Sequence, residues 1–231
     1  MKKKLSVALA AFMVMGASIV HAQKSSLIVR GGINLANVST TDNGRVEDAK
    51  MLPSFQVGLI GDLNLNSFLA IQPGIIFSGK GTKSQSGSTD DASYFRATTN
   101  PYYIEVPVNL VFKAPLGEGV KLFVGAGPYA AMGIAGKNKT EGKLFGASFS
   151  SEKSIEWSND DPTTSEEENT GFGIMRRFDY GVNGTAGIEL SNVVISANYG
   201  LGLAKLQSGS NSSANDNNKN RVLSFTLGFK F

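Results

Sequence analysis

The sequence predicts an all-β fold, an eight-stranded antiparallel up-and-down transmembrane β-barrel, and three observations predict it. Eight segments alternate apolar and polar residues with a period of two, and the connections between them are alternately short and long. The chain also stops on a strand, NRVLSFTLGFKF, in which Leu223, Phe225, Leu227, Phe229 and Phe231 occupy every second place. A strand turns successive side chains to opposite faces, so this tail has one apolar face and one small or polar face. No segment shows comparable helical periodicity.

The first 23 residues, MKKKLSVALAAFMVMGASIVHAQ, predict an export signal over 1–22 and a single barrel domain over 23–231. Basic Lys2, Lys3 and Lys4 precede an apolar run from Leu5 to Val20, and Val20-His21-Ala22 forms the cleavage site. That run has 16 residues, short of the roughly 20 a membrane-crossing helix needs. Removing three lysines takes 22 basic residues to 19, against 19 acidic ones. The pI near 9.0 therefore belongs to the signal, and no nucleic-acid footprint remains. The chain has no cysteine for a disulfide or a lipid anchor, and its one histidine, His21, leaves with the signal.

The strands follow in order. SLIVRGGINLA sets Leu27, Val29, Ile33 and Leu35 against Arg30, Gly32 and Asn34. In SFQVGLIGDLNL, Phe55, Val57, Leu59, Leu63 and Leu65 oppose Gln56, Gly58, Asp62 and Asn64. LAIQPGIIFSGK sets Leu69, Ile71, Pro73, Ile75 and Phe77 against Gln72, Gly74, Ser78 and Lys80. YYIEVPVNLVFK sets Tyr102, Ile104, Val106, Val108, Leu110 and Phe112 against Glu105, Asn109 and Lys113. VKLFVGAGPYAAMGIAG carries Leu122, Val124, Ala126, Ala130, Met132 and Ile134, with Lys121 on the other parity. In RFDYGVNGTAGIEL, Tyr180, Val182, Ala186, Ile188 and Leu190 oppose Asn183, Thr185 and Glu189. NVVISANYGLGLAKL sets Val193, Ile195, Ala197, Tyr199, Leu201 and Leu203 against Ser196, Asn198 and Gly200, and the tail is the eighth strand.

Connections after the second, fourth and sixth strands are tight: Asn66-Ser67, APLGEG and Ser191-Asn192. Those after the first, third, fifth and seventh are long and polar, covering about 37–52, 81–100, 137–175 and 207–219. Short turns at one end and long loops at the other are the layout of an outer-membrane barrel, with both termini on the periplasmic side. A soluble calyx of the lipocalin kind also alternates, with charges outward and its apolar face lining a ligand cup. The apolar faces carry no charge at their centres, whereas the opposite faces carry Arg30, Asp62, Lys80, Glu105, Lys113, Lys121, Glu189 and Lys230. The export signal, the loop asymmetry and terminal Phe231 favour apolar faces toward lipid and charged faces toward a lumen filled by polar side chains. Glycine, at 27 residues, exceeds the usual ~7% share. Lumen-face members such as Gly32 and Gly127 leave room for long inward charges and for bends at barrel corners.

The stretches YIEVPVNLVFK, FVGAGPYAAMGIAGK, RFDYGVNGTAGIEL and NYGLGLAKL, in that order before a terminal aromatic, resemble the PorT-type outer-membrane β-barrel family, also called porin family proteins. The resemblance spans about 26–231 and implies a barrel similar in size to OmpX or the membrane domain of OmpA. It further implies insertion by the barrel-assembly machinery, with Phe225, Leu227, Phe229 and Phe231 matching the C-terminal assembly signal. Some members of the family assist protein secretion or gliding.

No catalytic residue, metal site or cofactor is predicted. A lumen network of Arg30, Asp62, Glu105, Lys113, Lys121, Glu189 and Lys230 is expected, because a filled barrel must satisfy its polar interior. Glu105 has two readings, an acid/base carboxylate or a member of that ion-pair network. Arg176, Lys205 and Arg221 share the parity of the lipid-facing residues at the upper ends of three consecutive strands. They either pair with lipopolysaccharide phosphates or snorkel to the interface. The acids of SNDDPTTSEEENTG lack calcium-loop spacing and predict a solvated loop, with Trp157 and Phe149 nearby as a contact patch. The expected function is a non-enzymatic outer-membrane barrel with a packed polar lumen. Its expected partners are membrane lipid, lipopolysaccharide, the assembly machinery and an extracellular ligand or protein at the loops. A narrow passive pore, a secretion component, a soluble calyx and a lipid A enzyme are the rivals, the last disfavoured by the missing histidine.

Overall fold

Each of the eight alternating segments finds two antiparallel neighbours, so the wall has no open edge. A computed structural model describes residues 25–42, 45–48, 50–88, 91, 93–158, 174–206 and 219–231. The wall strands are β1 (Ser26–Asp42), β2 (Lys50–Asn64), β3 (Leu69–Gly79), β4 (Tyr94–Gly117), β5 (Val120–Leu144), β6 (Phe178–Leu190), β7 (Val193–Gly202) and β8 (Lys219–Lys230). Each pairs with the next in sequence, and β8 closes on β1 with Ile33 opposite Phe225 and Asn37 opposite Arg221. Beyond β8, the Phe231 amide donates to the Leu27 carbonyl at 2.8 Å, and the Leu27 amide returns a bond at 3.2 Å.

Burial decides which face is which. Ile33, Ile75 and Val124 are 57%, 59% and 60% exposed, while Asp62 and Lys113 are 0% and 3% exposed. A soluble calyx requires the reverse, so the apolar faces form an outer belt and the charges fill the interior. Aromatic clusters mark both borders of the belt. Phe68 stacks on Phe112 beside the short β2–β3 turn, and Phe55, Phe77 and Tyr102 cluster at the other end with centroids 5.4–6.1 Å apart. Some lumen-face glycines answer a tighter need than room for charges. A Cβ at Gly32 or Gly127 would collide with the carbonyl oxygen of Phe225 or Val108 on the adjacent strand.

Three of the long connections contain more strand than their polarity suggested. β1 runs to Asp42 and pairs with Arg45–Asp48, and Thr82–Ser86 joins β4, which begins at Tyr94. β5 continues to Leu144 and turns back as Ala147–Ser154. Outside a membrane a strand needs no apolar face, so ladders such as TKSQS carry no hydrophobic alternation to read. The result is a ribbon of four strands rising above the belt. Its base has a bulge: Tyr102 lies opposite Ala135 but Tyr103 opposite Gly133, leaving Ile134 as an extra residue on β5.

Candidate functional site

At the end with the short turns, one carboxylate or ammonium from each even strand meets in a quartet. Lys113 Nζ lies 2.5 Å from Asp62 Oδ2, and Lys230 Nζ lies 2.8 Å from the same oxygen. Lys230 also binds Glu189 at 2.5 Å, with Lys113 3.7 Å from Glu189. Gln72 Nε2 donates to Asp62 Oδ1 at 3.0 Å, and Lys113 Nζ to Asn64 Oδ1 at 3.0 Å. The two cations cancel the two anions, and the amides fill their remaining valences. Lys121 shares the lumen parity and stands opposite Glu189 and Pro115, but no ion pair of the quartet includes it.

Farther in, the lumen departs from the polar filling that the sequence suggested. Ile28, Ile60, Ile76, Val111, Phe123 and Val194 form a buried apolar cluster inside the barrel. Runs such as Ile75-Ile76-Phe77 and Leu122-Phe123-Val124 are apolar at both parities, and that was the available signal. Arg30 also reaches into the interior and donates to Asn198 Oδ1 at 3.4 Å. A cavity of about 30 Å3 touches Arg30, Gln56 and Asn109, enough for ordered water.

The second charge cluster lies toward the ribbon. Lys80 Nζ sits 2.7 Å from Glu105 Oε2 and 3.1 Å from Asp179 Oδ2, and 4.3 Å from the centroid of the Tyr129 ring. Tyr129 Oη and Asn220 Nδ2 donate to Asp179 at 3.2 and 3.0 Å. Glu105 is thus held in a buried ion pair, and Asp179 shares the same ammonium. Sequence reasoning missed Asp179, although its parity is opposite to that of Tyr180 and Val182.

Above this cluster the mouth is covered. Trp157 does not join an outer contact patch; it packs on Tyr103, Tyr129 and Ala131 within the barrel and against Val38, Ile155, Met175 and Leu206 above. Glu156–Trp157 pairs in parallel with Ile174–Met175, and the Gly133 amide donates to the Arg177 carbonyl at 2.6 Å. Phe149 lies on the ribbon, its ring over Gly142.

The three rim residues come to neighbouring positions. The Arg176 amide donates to the Leu206 carbonyl at 2.8 Å, beside exposed Lys205. Arg221 lies opposite Leu201 and donates to the Gly202 carbonyl at 3.0 Å. Phe225, Leu227, Phe229 and Phe231 all face outward. The acids from Asp160 to Glu168 and the proposed signal lie outside the described residues, among which no metal-holding cluster of His, Cys, Asp and Glu occurs.

No curated protein matches the chain in sequence. Solved structures resembling it include Ail, the attachment invasion locus protein of Yersinia pestis, at 17% identity over 90% of this chain and 100% of that one, TM-score 0.41. Neisserial surface protein A gives 14% over 90% and 100%, TM-score 0.40. OprG from Pseudomonas aeruginosa gives 14% over 90% and 97%, TM-score 0.41. Likenesses this distant assign no activity. A family model of the outer membrane protein beta-barrel domain matches residues 21–208, most of the chain. The chain belongs to that family and is an outer-membrane β-barrel protein.

Proposed function

We propose that the protein is a non-catalytic anchor: a sealed barrel that holds a β-ribbon outside the outer membrane as an interaction surface. The extension of β4 and β5 well beyond the aromatic border at Tyr102 carries this reading, because a bare anchor needs no strand above the belt. The quartet, the apolar layer around Phe123 and the Trp157 cover lie across the lumen in series, which disfavours the narrow pore. The rim of Arg176, Lys205 and Arg221, as a lipopolysaccharide contact, belongs to the same reading. So do the PorT-type assignment, export by residues 1–22 and assembly through the C-terminal aromatic signal. The test is reconstitution in planar bilayers of material whose gel mobility shifts on boiling. A silent bilayer supports the sealed anchor, and stepwise conductance overturns it in favour of a pore.

A further inference from the structure

We propose that the outward face of the ribbon docks the phosphorylated core of outer-leaflet lipopolysaccharide. This rests on the reading above that the ribbon stands outside the membrane. Directly opposed residues of a ladder share a face. Below the bulge the outward side chains of β5 are even-numbered, Val124, Met132 and Ile134 among them. The extra residue at Ile134 shifts that parity, so Lys137, Lys139, Glu141 and Lys143 project outward above it, opposite Asn100, Thr98, Arg96 and Tyr94. Across the other ladders, Lys83 lies opposite Thr98, and Ser154, Glu152, Ser150 and Ser148 lie opposite the four β5 residues.

Among the described side chains, one face thereby collects five cations, Lys83, Arg96, Lys137, Lys139 and Lys143, against two carboxylates, Glu141 and Glu152. Both carboxylates are engaged. Glu141 binds Arg96 at 2.8 Å and Lys139 at 2.6 Å, and Glu152 binds Lys137 at 2.5 Å. The remaining excess is positive, set among hydroxyls that donate to and accept from sugars. The reverse face differs in kind, with Phe95, Ala97 and Phe149 over Gly142.

The occupant follows from position and charge. The basic face continues the lipid-facing side of the wall upward from Tyr102. The six steps from Lys137 to Lys143 reach about 20 Å at ~3.4 Å each. The molecules standing beside the barrel at that height are those of the surrounding leaflet, and lysines beside an anionic leaflet are drawn to it.

The test places the full barrel in phosphatidylcholine vesicles, ribbon outward, and measures capture of purified rough lipopolysaccharide and of the same material dephosphorylated. Variants are Lys83→Gln/Lys137→Gln/Lys139→Gln/Lys143→Gln on the face, Lys153→Gln on the reverse face, and Arg176→Gln/Lys205→Gln/Arg221→Gln at the rim. Expected is capture that requires phosphate, weakens with salt, falls about tenfold or more in the quadruple variant and holds in Lys153→Gln. Undiminished capture by the quadruple variant overturns the proposal, as does equal capture of dephosphorylated material. A heat-dependent gel shift in the same samples separates this failure from failure of the barrel reading itself.

Discussion

The indole of Trp157 lies directly over Gly133, where a Cβ would fall among its ring carbons, and meets Tyr103 edge-on at 77° with centroids 5.7 Å apart. The cover over the lumen therefore depends on the absence of one side chain. Gly133→Val is expected to expel the ring at a cost of about 1–3 kcal/mol. Trp157 is the only tryptophan, so the emission spectrum reads its surroundings alone. A shift to longer wavelength in the variant is expected, and an unchanged spectrum would remove Trp157 from the mouth.

Asp62 accepts from both lysines of the inner quartet and is fully buried. Asp62→Ala leaves Lys113 and Lys230 sharing Glu189 and is expected to destabilise the barrel by about 3–5 kcal/mol. The midpoint of urea unfolding, followed by gel mobility, measures it. Lys137→Gln breaks an exposed pair on the ribbon and should leave that midpoint in place.

The ribbon pairs have a defined pH window. A hydrogen bond from Lys139 holds the Glu141 carboxyl below its ordinary range, with Arg96 adding to it, and one from Lys137 does the same for Glu152. Their contribution is therefore present above the ordinary glutamate pKa and is lost as pH falls through the lowered one. The partner lysines shift up, so at the alkaline end the contribution persists below the ordinary lysine pKa and goes as pH rises through the raised value. Carboxyl-carbon NMR titration of Glu141 and Glu152 should give midpoints below those of free glutamate; ordinary midpoints would mean that the pairs do not persist in solution.

The ribbon tip is strained. Phe145 has φ of 50° ahead of Gly146 at 86°, and its side chain is 90% exposed. Asn tolerates this region where an aromatic residue does not. Phe145→Asn should stabilise the hairpin by about 1 kcal/mol, read as slower amide exchange over Lys137–Ser154. Faster exchange would show that the Phe145 ring contributes more to the tip than its backbone costs.

The membrane-spanning part of the fold was legible because lipid imposes a strict rule: every outward side chain there is apolar, so Leu223 to Phe231 announce both strand and face. The ribbon was not, because TKSQS and ASFSSEKS face water on at least one side and obey no such rule. The quartet residues were identifiable by parity, yet their grouping depends on register, which places Lys113 within reach of Asp62 across two ladders. Trp157 was misplaced for the same reason: no local pattern says that a segment beyond the wall folds back over Gly133.

The charges of the quartet balance only when β8 is in place. Asp62, Lys113 and Glu189 come from β2, β4 and β6, and together they carry one excess negative charge. Lys230, the penultimate residue, brings the balancing positive charge. Any partly threaded barrel that lacks β8 therefore holds an unneutralised carboxylate in its interior, and only arrival of the final strand cancels it. Closure of the wall and neutralisation of this part of the interior thus fall on the same strand.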